Sequence, residues 1–424
     1  MTATKTRPLE AVPTGGKQEG KPGSARFSYR LRVSTTARRA LVEEWGRCRW
    51  VWNECVAKSK AVYARNRALP MEAAEKKETC GPAQLDRMLT RARACTPWLA
   101  AGSSVVQQQI IRDFGTARTK ALKDITERLP QAKRAGMPGF KSRREDAPSL
   151  NYTRRGFRLK GDGRLHLAGG IVLGVAWSRP LPAEPTSVRI HQDSLGHWYA
   201  SFVVPTQVQE LPETGRNLGV DWGVKDLATT TSDEHDLPHP EFGKAASAKI
   251  SRYDRMMARR KPKKGKPGSR GYKAAKHLRA KAYKKAARQR EDHGRKWAKR
   301  VVRDHDQLAV EDFKPKFLAK STMAKKAADA AVGATKQALV HMARKHGRII
   351  HLIHPAYTTM DCGQCHARAK HALPLGMRTY TCTACGHVSP RDKNSAQVML
   401  NRAGLTPVDA DGRRPPGTQF PKAA

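Results

Sequence analysis

The sequence predicts a multidomain α+β protein: a β-strand, a helical insertion, then a small β-barrel or sheet, followed by a second half that mixes strands with long helices. Three observations carry this. Residues 27–33 alternate like a strand and lead into an apolar stripe at helical spacing. Between residues 157 and 204 five short apolar runs follow one another with glycine turns between them. Beyond Gly215, apolar strand-like runs alternate with long basic helical stretches.

Taken in order, residues 1–24 are rich in Gly, Pro, Thr and Lys and have no periodicity, so they are expected to be disordered. Ser34, Thr35 and Thr36 then offer caps for a helix whose stripe is Leu41, Trp45, Cys48, Trp52 and Cys55. A second helix is expected over 104–126, and a basic loop with Gly136, Pro138 and Gly139 precedes the strands at 157–159, 165–167, 171–177, 187–192 and 198–204. The second half opens with a strand pair over 217–231, turning at 232–234. Residues 245–304 read as helix broken by the turn-forming tract 261–271, with Ala274, Leu278, Ala282 and Ala286 as its stripe. A strand at 307–311, a helix at 327–345 stopped by Gly347 and a strand at 348–353 follow. The stretch from about Gly404 is rich in Pro and Gly and reads as loose.

Charge narrows the function. With 81 Lys and Arg against 37 Asp and Glu, the net charge is +44, a self-repulsion that calls for a polyanionic partner. Nucleic acid is the first candidate. A membrane role is not expected, because no run of about 18 apolar residues is present and the N-terminus lacks a signal-peptide h-region; the expected location is the cytoplasm. Lys and Arg are dense around Tyr272 and Tyr283, which suits contact with a nucleic-acid backbone, although a solvated helix face would look similar.

The eight cysteines fall into two groups. Cys48 and Cys55 lie on the helix stripe and read as core, and Cys80 and Cys95 read as free thiols. Cys362-Gly-Gln-Cys365 and Cys382-Thr-Ala-Cys385, with sixteen residues between them, can bring four thiolates into a tetrahedron around one Zn²⁺. Four thiolates leave no open coordination position, so the ion is expected to be structural; His366 and His387 read as bystanders.

Three acids stand at element ends. Asp221 follows Leu218-Gly219-Val220, Glu311 follows Leu308-Ala309-Val310, and Asp392 opens a stretch that continues as a helix to Arg402. An acid directly after a buried strand is costly to desolvate unless it meets a cation or hydrogen-bond donors. Converging, the three could hold two Mg²⁺ ions about 4 Å apart and support phosphodiester hydrolysis. Taken singly, Asp221 and Glu311 also fit turn caps, and Asp392 a helix N-cap.

Together these motifs resemble the TnpB family of insertion-sequence proteins and the compact type V CRISPR effectors. Gly219-Val220-Asp221-Trp222-Gly223-Val224-Lys225-Asp226-Leu227-Ala228 is similar to the family's first RuvC motif, Val310-Glu311-Asp312-Phe313 to the second, and Pro390-Arg391-Asp392-Lys393-Asn394-Ser395-Ala396 to the third. Residues 45–53, 104–108 and 136–142 resemble the family's N-terminal motifs. Trp222, Pro390 and Ser395 depart from the usual pattern without removing an acid.

The resemblance implies a wedge β-barrel with a helical recognition insertion, then an RNase H-like (RuvC) nuclease domain with an inserted zinc ribbon. It places the first wedge strand at 25–35, the recognition lobe at 36–144, the rest of the barrel at 145–215, the nuclease domain at 216–402 with the ribbon at 355–390, and a flexible tail at 403–424. It further implies Asp221, Glu311 and Asp392 as catalytic acids binding two Mg²⁺, with Asp226 and Asp312 as neighbours without a metal role. A guide RNA and a double-stranded DNA target carrying a short adjacent motif are the implied partners, with recognition delegated to base pairing. The resemblance implies an RNA-guided DNA endonuclease associated with a transposon; rival readings are a compact type V CRISPR effector with the same chemistry, a guided repressor without cleavage, a DNA-strand transposase, and a zinc-ribbon RNA-binding protein.

Overall fold

The computed structural model describes residues 23–70, 77–143, 146–263, 265–313, 321–374 and 376–405. They form two units, one ending at Thr206 and one beginning at Gln207, each with its own core. Most of the disorder expected at the termini lies outside the described residues; of the stretches that overlap them, Gly23 and Ser24 belong to the first strand and Leu405 is buried against Met399 and Leu400.

The first unit runs β1 (Gly23–Arg32), α1 (Thr35–Ala68), α2 (Pro82–Cys95), α3 (Pro97–Ala100), α4 (Ser104–Thr126), β2 (Ser149–Thr153), β3 (Phe157–Leu159), β4 (Arg164–Leu167), β5 (Ile171–Ala176), β6 (Ser187–Gln192) and β7 (Trp198–Thr206). Ser34 caps α1, its Oγ accepting from Ala37 N at 3.1 Å. The expected stripe is the buried face: Leu41, Trp45, Cys48 and Cys55 join Val106, Ile110 and Phe114 of α4 in one core. Cys80 is also buried, Cys95 is exposed, and none of these four is bridged. Neither α2 nor β2 was expected. Only Leu85 and Leu89 of α2 are buried, too few apolar residues to mark a helix by period, and β2 alternates over five residues only.

All seven strands pair antiparallel in the order β2-β6-β7-β1-β5-β4-β3. The two edge strands, β2 and β3, are separated in sequence by only the 3₁₀ turn Arg154–Gly156, so the sheet curls until its edges are neighbours, a nearly closed barrel. The basic loop before β2 is fixed to α1. Asn53 brackets Lys141, accepting from its N at 2.8 Å and donating to its O at 3.1 Å, while Trp52 Nε1 donates to Gly139 O at 2.8 Å.

The second unit runs β8 (Asn217–Trp222), β9 (Asp226–Thr230), β10 (Leu237–Pro238), α5 (Phe242–Arg259), α6 (Arg270–Asp304), β11 (Gln307–Glu311), α7 (Ala324–Ala330), α8 (Val332–Lys345), β12 (Ile349–Ile353), β13 (Thr379–Thr381), β14 (Val388–Pro390) and α9 (Arg391–Arg402). Its main sheet has the order β10-β9-β8-β11-β12, with β8, β11 and β12 parallel and β9 and β10 antiparallel.

Three expectations need correction here. The strand pair turns at Gly223 rather than at 232–234, because Gly223 N closes the hairpin onto Leu227 O at 3.3 Å and an added Cβ would lie 2.5 Å from Asp226 O. In α6 the buried face is Ala275, Ala286, Trp297, Ala298, Val301 and Val302, while Leu278 is exposed; evenly spaced alanines in a Lys- and Arg-rich helix do not define one face. The helix at 327–345 is broken at Ala331, which is left-handed with φ 53°. The break leaves buried Asp329 to cap α5, accepting from Gly243 N at 2.7 Å and Lys244 N at 2.9 Å.

His305 follows α6 and is buried, which pushes its pKa down to about 4, and its Nδ1 bonds Val301 O at 3.0 Å. The fold holds it neutral, whereas the unfolded chain takes up a proton near pH 6.5. Stability is therefore full above that pH and falls as pH drops toward about 4, by ~3 kcal/mol at most. Thermal melts across this range should show the fall, and His305→Gln should flatten it.

Candidate active site

Period-two alternation fixes where the strand-end acids point. β8 and β11 are parallel and in register, with Leu308 opposite Leu218, Ala309 opposite Gly219 and Val310 opposite Val220. Leu218, Val220, Leu308 and Val310 enter the core with Trp297 and Val301 of α6 and Leu339 of α8. Ala309 packs instead with Met399 and Leu400 of α9. Asp221 and Glu311 continue the Gly219 and Ala309 side, so both face α9.

Gly219 lets that helix approach: an added Cβ would stand 2.1 Å from Ala396 O. Asp392 lies in the first turn of α9, where Pro390 occupies the cap position, so the N-cap reading of Asp392 does not hold.

Asp221 and Glu311 thus stand side by side, and Asp392 lies near enough for its charge to act on Asp221, although among the described residues only the four late cysteines have donor atoms all within 4.8 Å of one another. The carboxyls of Asp221 and Glu311 are close enough to raise the cost of ionising both. Burial, then the charge of Glu311, then that of Asp392 drive Asp221 well above the usual carboxylate range, against the pull of Arg391. Burial lifts Glu311 to about 7, against the Trp222 amide, which donates to it at 3.3 Å, and the Lys336 ammonium. Crowded carboxylates that retain a proton are a good donor set for divalent cations, whose charge would displace that proton.

Several neighbours were not read from the sequence. Lys336 Nζ donates to Asp312 Oδ1 at 2.7 Å, giving Asp312 a cation partner beside Glu311. Arg378 lies 3.9 Å from Asp392. Lys393 anchors the start of α9 to the segment after β9, donating to Thr230 O at 2.9 Å and pairing with Asp233 and Asp236 at 2.5 and 2.7 Å. Of these only Lys393 adjoins a predicted acid in the sequence; Lys336 lies on α8 one position from buried Thr335.

The four late cysteines also converge, their sulfurs within 4.8 Å of one another. Cys362 and Cys385 are 3.8 Å apart and Cys365 and Cys382 3.6 Å, too far for disulfides. With Zn–S of about 2.3 Å, a tetrahedral site has an edge of about 3.8 Å, so the donors fit one such ion. The two knuckles are built alike. His366 N bonds Cys362 O and Gly386 N bonds Cys382 O, with His366 and Gly386 both left-handed, at φ 63° and 75°. β13 and β14 pair beside the second knuckle.

On α6, Lys273, Lys276, Lys281, Lys285 and Lys299 are exposed, and Tyr283 is 44 % exposed beneath the Arg279 guanidinium at 5.0 Å. Cations around an exposed ring suit a phosphate backbone and its bases. No helix among the described residues is long and apolar enough to cross a membrane.

Residues 201–322 match a family model described as "Probable transposase", and residues 333–399 one described as "Cas12f1-like, TNB domain". A "Putative RNA-guided DNA endonuclease" of Streptomyces pristinaespiralis is 30 % identical over 323 residues, 75 % of this chain and 76 % of the relative. The "Putative RNA-guided DNA endonuclease InsQ" of Escherichia coli (strain K12) is 23 % identical over 393 residues, 88 % of this chain and 91 % of the relative. The Cas12f1–sgRNA–target DNA complex solved by cryo-EM overlaps with a TM-score of 0.49 at 11 % identity, covering 90 % of this chain and 99 % of that one, an overlap too loose to fix any detail of the fold. The chain belongs to the TnpB family, to which the resemblance of its three acid motifs pointed.

Proposed function

We propose that this protein is an RNA-guided DNA endonuclease associated with a transposon. The observation that carries the chemistry is the register of β8 and β11, which sets Asp221 beside Glu311 on the face that receives Asp392. In this reading residues 216–402 form an RNase H-like (RuvC) domain with a zinc ribbon at 355–390. Residues 25–35 and 145–215 form the wedge barrel, and residues 36–144 the recognition lobe that grips the guide RNA and the target beside its short adjacent motif. Cys362, Cys365, Cys382 and Cys385 hold the structural Zn²⁺.

Asp221, Glu311 and Asp392 would hold two Mg²⁺, which when bound supply an activated water and a charge clamp for the leaving 3′ oxygen. The protein's part is orientation. The Trp222 amide holds Glu311, and Lys336 occupies Asp312 and keeps that second acid out of the cluster. Lys393 fixes the turn that carries Asp392. The net charge of +44 suits a chain that carries RNA and DNA together.

The direct test is to purify the protein from cells, sequence the RNA that accompanies it, and assay cleavage of a matching target with Mg²⁺ and with EDTA. A discrete RNA and Mg²⁺-dependent cuts are expected; absence of a discrete RNA would refute guidance. Because Glu311 titrates near 7 when no cation is bound, protons compete with Mg²⁺ below that pH. The Mg²⁺ concentration for half-maximal cleavage should fall as pH rises from 6 to 8. A half-saturation indifferent to pH would count against the raised Glu311.

A further inference from the structure

The cysteine cluster and the acid cluster are fastened to the same helix. Asn394, 2 % exposed, stands two residues beyond Asp392 on α9. Its Oδ1 accepts from Gly363 N at 2.8 Å, inside the first Cys-X-X-Cys, and its Nδ2 donates to Asp361 O at 2.8 Å, just before that knuckle. Two further side chains of α9 hold the same stretch: Asn401 Nδ2 donates to Gly363 O at 2.6 Å, and Arg402 pairs with Asp361 at 2.6 Å. Gly363 is pressed close, with an added Cβ only 2.8 Å from Gln397 Cβ. At the near end of the helix Arg391 N donates to Arg378 O at 2.8 Å, and the Arg378 guanidinium faces Asp392.

These contacts make the knuckle part of the support for the first turn of α9. The path of Gly363 is set by Cys362 and Cys365 on either side, and a metal ion holding those sulfurs would aim the Gly363 N–H at Asn394. Without that restraint the buried Asn394 amide would lose partners on both of its atoms, at a cost of about 1–3 kcal/mol for each group left unpaired. Relief would come by shifting the helix start, where backbone groups lack intrahelical partners, and Asp392 is carried there.

We propose that Asn394 is a positioning residue that couples the metal state of the cysteine cluster to the placement of Asp392, so that zinc binding strengthens divalent-cation binding at the acids. The inference rests on the acid-site reading above. Coupling of this kind is reciprocal, and a thermodynamic cycle measures it.

The test uses the full chain without nucleic acid. Mn²⁺ binding is followed by electron paramagnetic resonance before and after zinc is stripped with a chelator, and zinc release is timed with a chromogenic chelator. In the wild type, zinc removal should weaken Mn²⁺ binding about tenfold, the low end for supporting residues of a metal site. Asn394→Ala should start at the weakened value, show no further loss on zinc removal, and release zinc about tenfold faster. Asn394→Asp keeps an acceptor for Gly363 N and should fall between, which covers the case of a poorly folding Ala variant. Equal Mn²⁺ affinity with and without zinc in the wild type would overturn the coupling, as would an undiminished zinc effect in both variants. If the wild type and Asp221→Ala bind Mn²⁺ alike, the acid site itself falls, a different failure.

Discussion

Asp221→Ala should lower target cleavage at least about 10³-fold, ~4 kcal/mol of transition-state stabilisation, while guide and target binding stay within about twofold. Asp221 feels the charges of both Glu311 and Asp392, so its loss removes the acid that lies between the other two electrostatically. Single-turnover cleavage and filter binding separate the two effects, and retained cutting would remove Asp221 from the chemistry. Asp221→Asn adds a readout independent of activity. A carboxyl whose folded pKa is raised costs stability once pH rises above its unfolded value, and the cost is full above the folded one. The metal-free Asn variant should therefore melt higher than wild type at pH 8, with the difference shrinking toward pH 4.

Gly219→Ala should have the next largest effect. The new methyl would meet the backbone oxygen of Ala396 at 2.1 Å, and a helix carbonyl cannot turn aside as a flexible side chain can. Thr231 closes the other side, with its methyl at 3.1 Å and its Oγ1 accepting from Gly219 N at 3.2 Å. Relief requires α9 to lift from β8, at an overpacking cost of about 1–3 kcal/mol. The lift would carry Asp392 away from Asp221, so cleavage should drop about 10²-fold, the scale at which small displacements of catalytic groups are felt. Gly333→Ala is the matched control. Open space surrounds Gly333 on α8, and Ala there should leave cleavage intact and stabilise by up to about 1 kcal/mol. A Gly219→Ala enzyme that cuts normally would show that α9 does not depend on this close approach.

Features set by local period or local chemistry were legible in the sequence. The Leu41 to Cys55 stripe, the Ser34 cap, the barrel strands other than β2 and the two cysteine knuckles all depend on neighbours a few residues away. The acids could be picked out because each follows a buried strand or opens a helix, but their meeting depends on parallel pairing of strands far apart in sequence. Errors arose where tertiary contacts decide. Ala331 is left-handed beside Asp329, which caps another helix, and alanine on every face obscures the buried side of α6. Gly219 and Asn394 looked like ordinary members of motifs; their roles exist only once α9 lies against the sheet and the knuckle.

The placement of the acids also bears on how the protein is made. β8 pairs with β11 and receives α9, so the cluster needs a strand from near residue 220, one from near 310 and a helix that begins at 391. A chain emerging from the ribosome can close the seven-stranded barrel as soon as β7 is free, because every strand of that sheet precedes residue 207. The acids can come together only after α9, which begins at Arg391, has been translated. Under the proposed reading, a copy stopped short of α9 would keep its barrel and basic helices yet lack a cutting centre. Under that reading, synthesis from the N-terminus builds the basic helix α6 before the helix that completes the cutting centre.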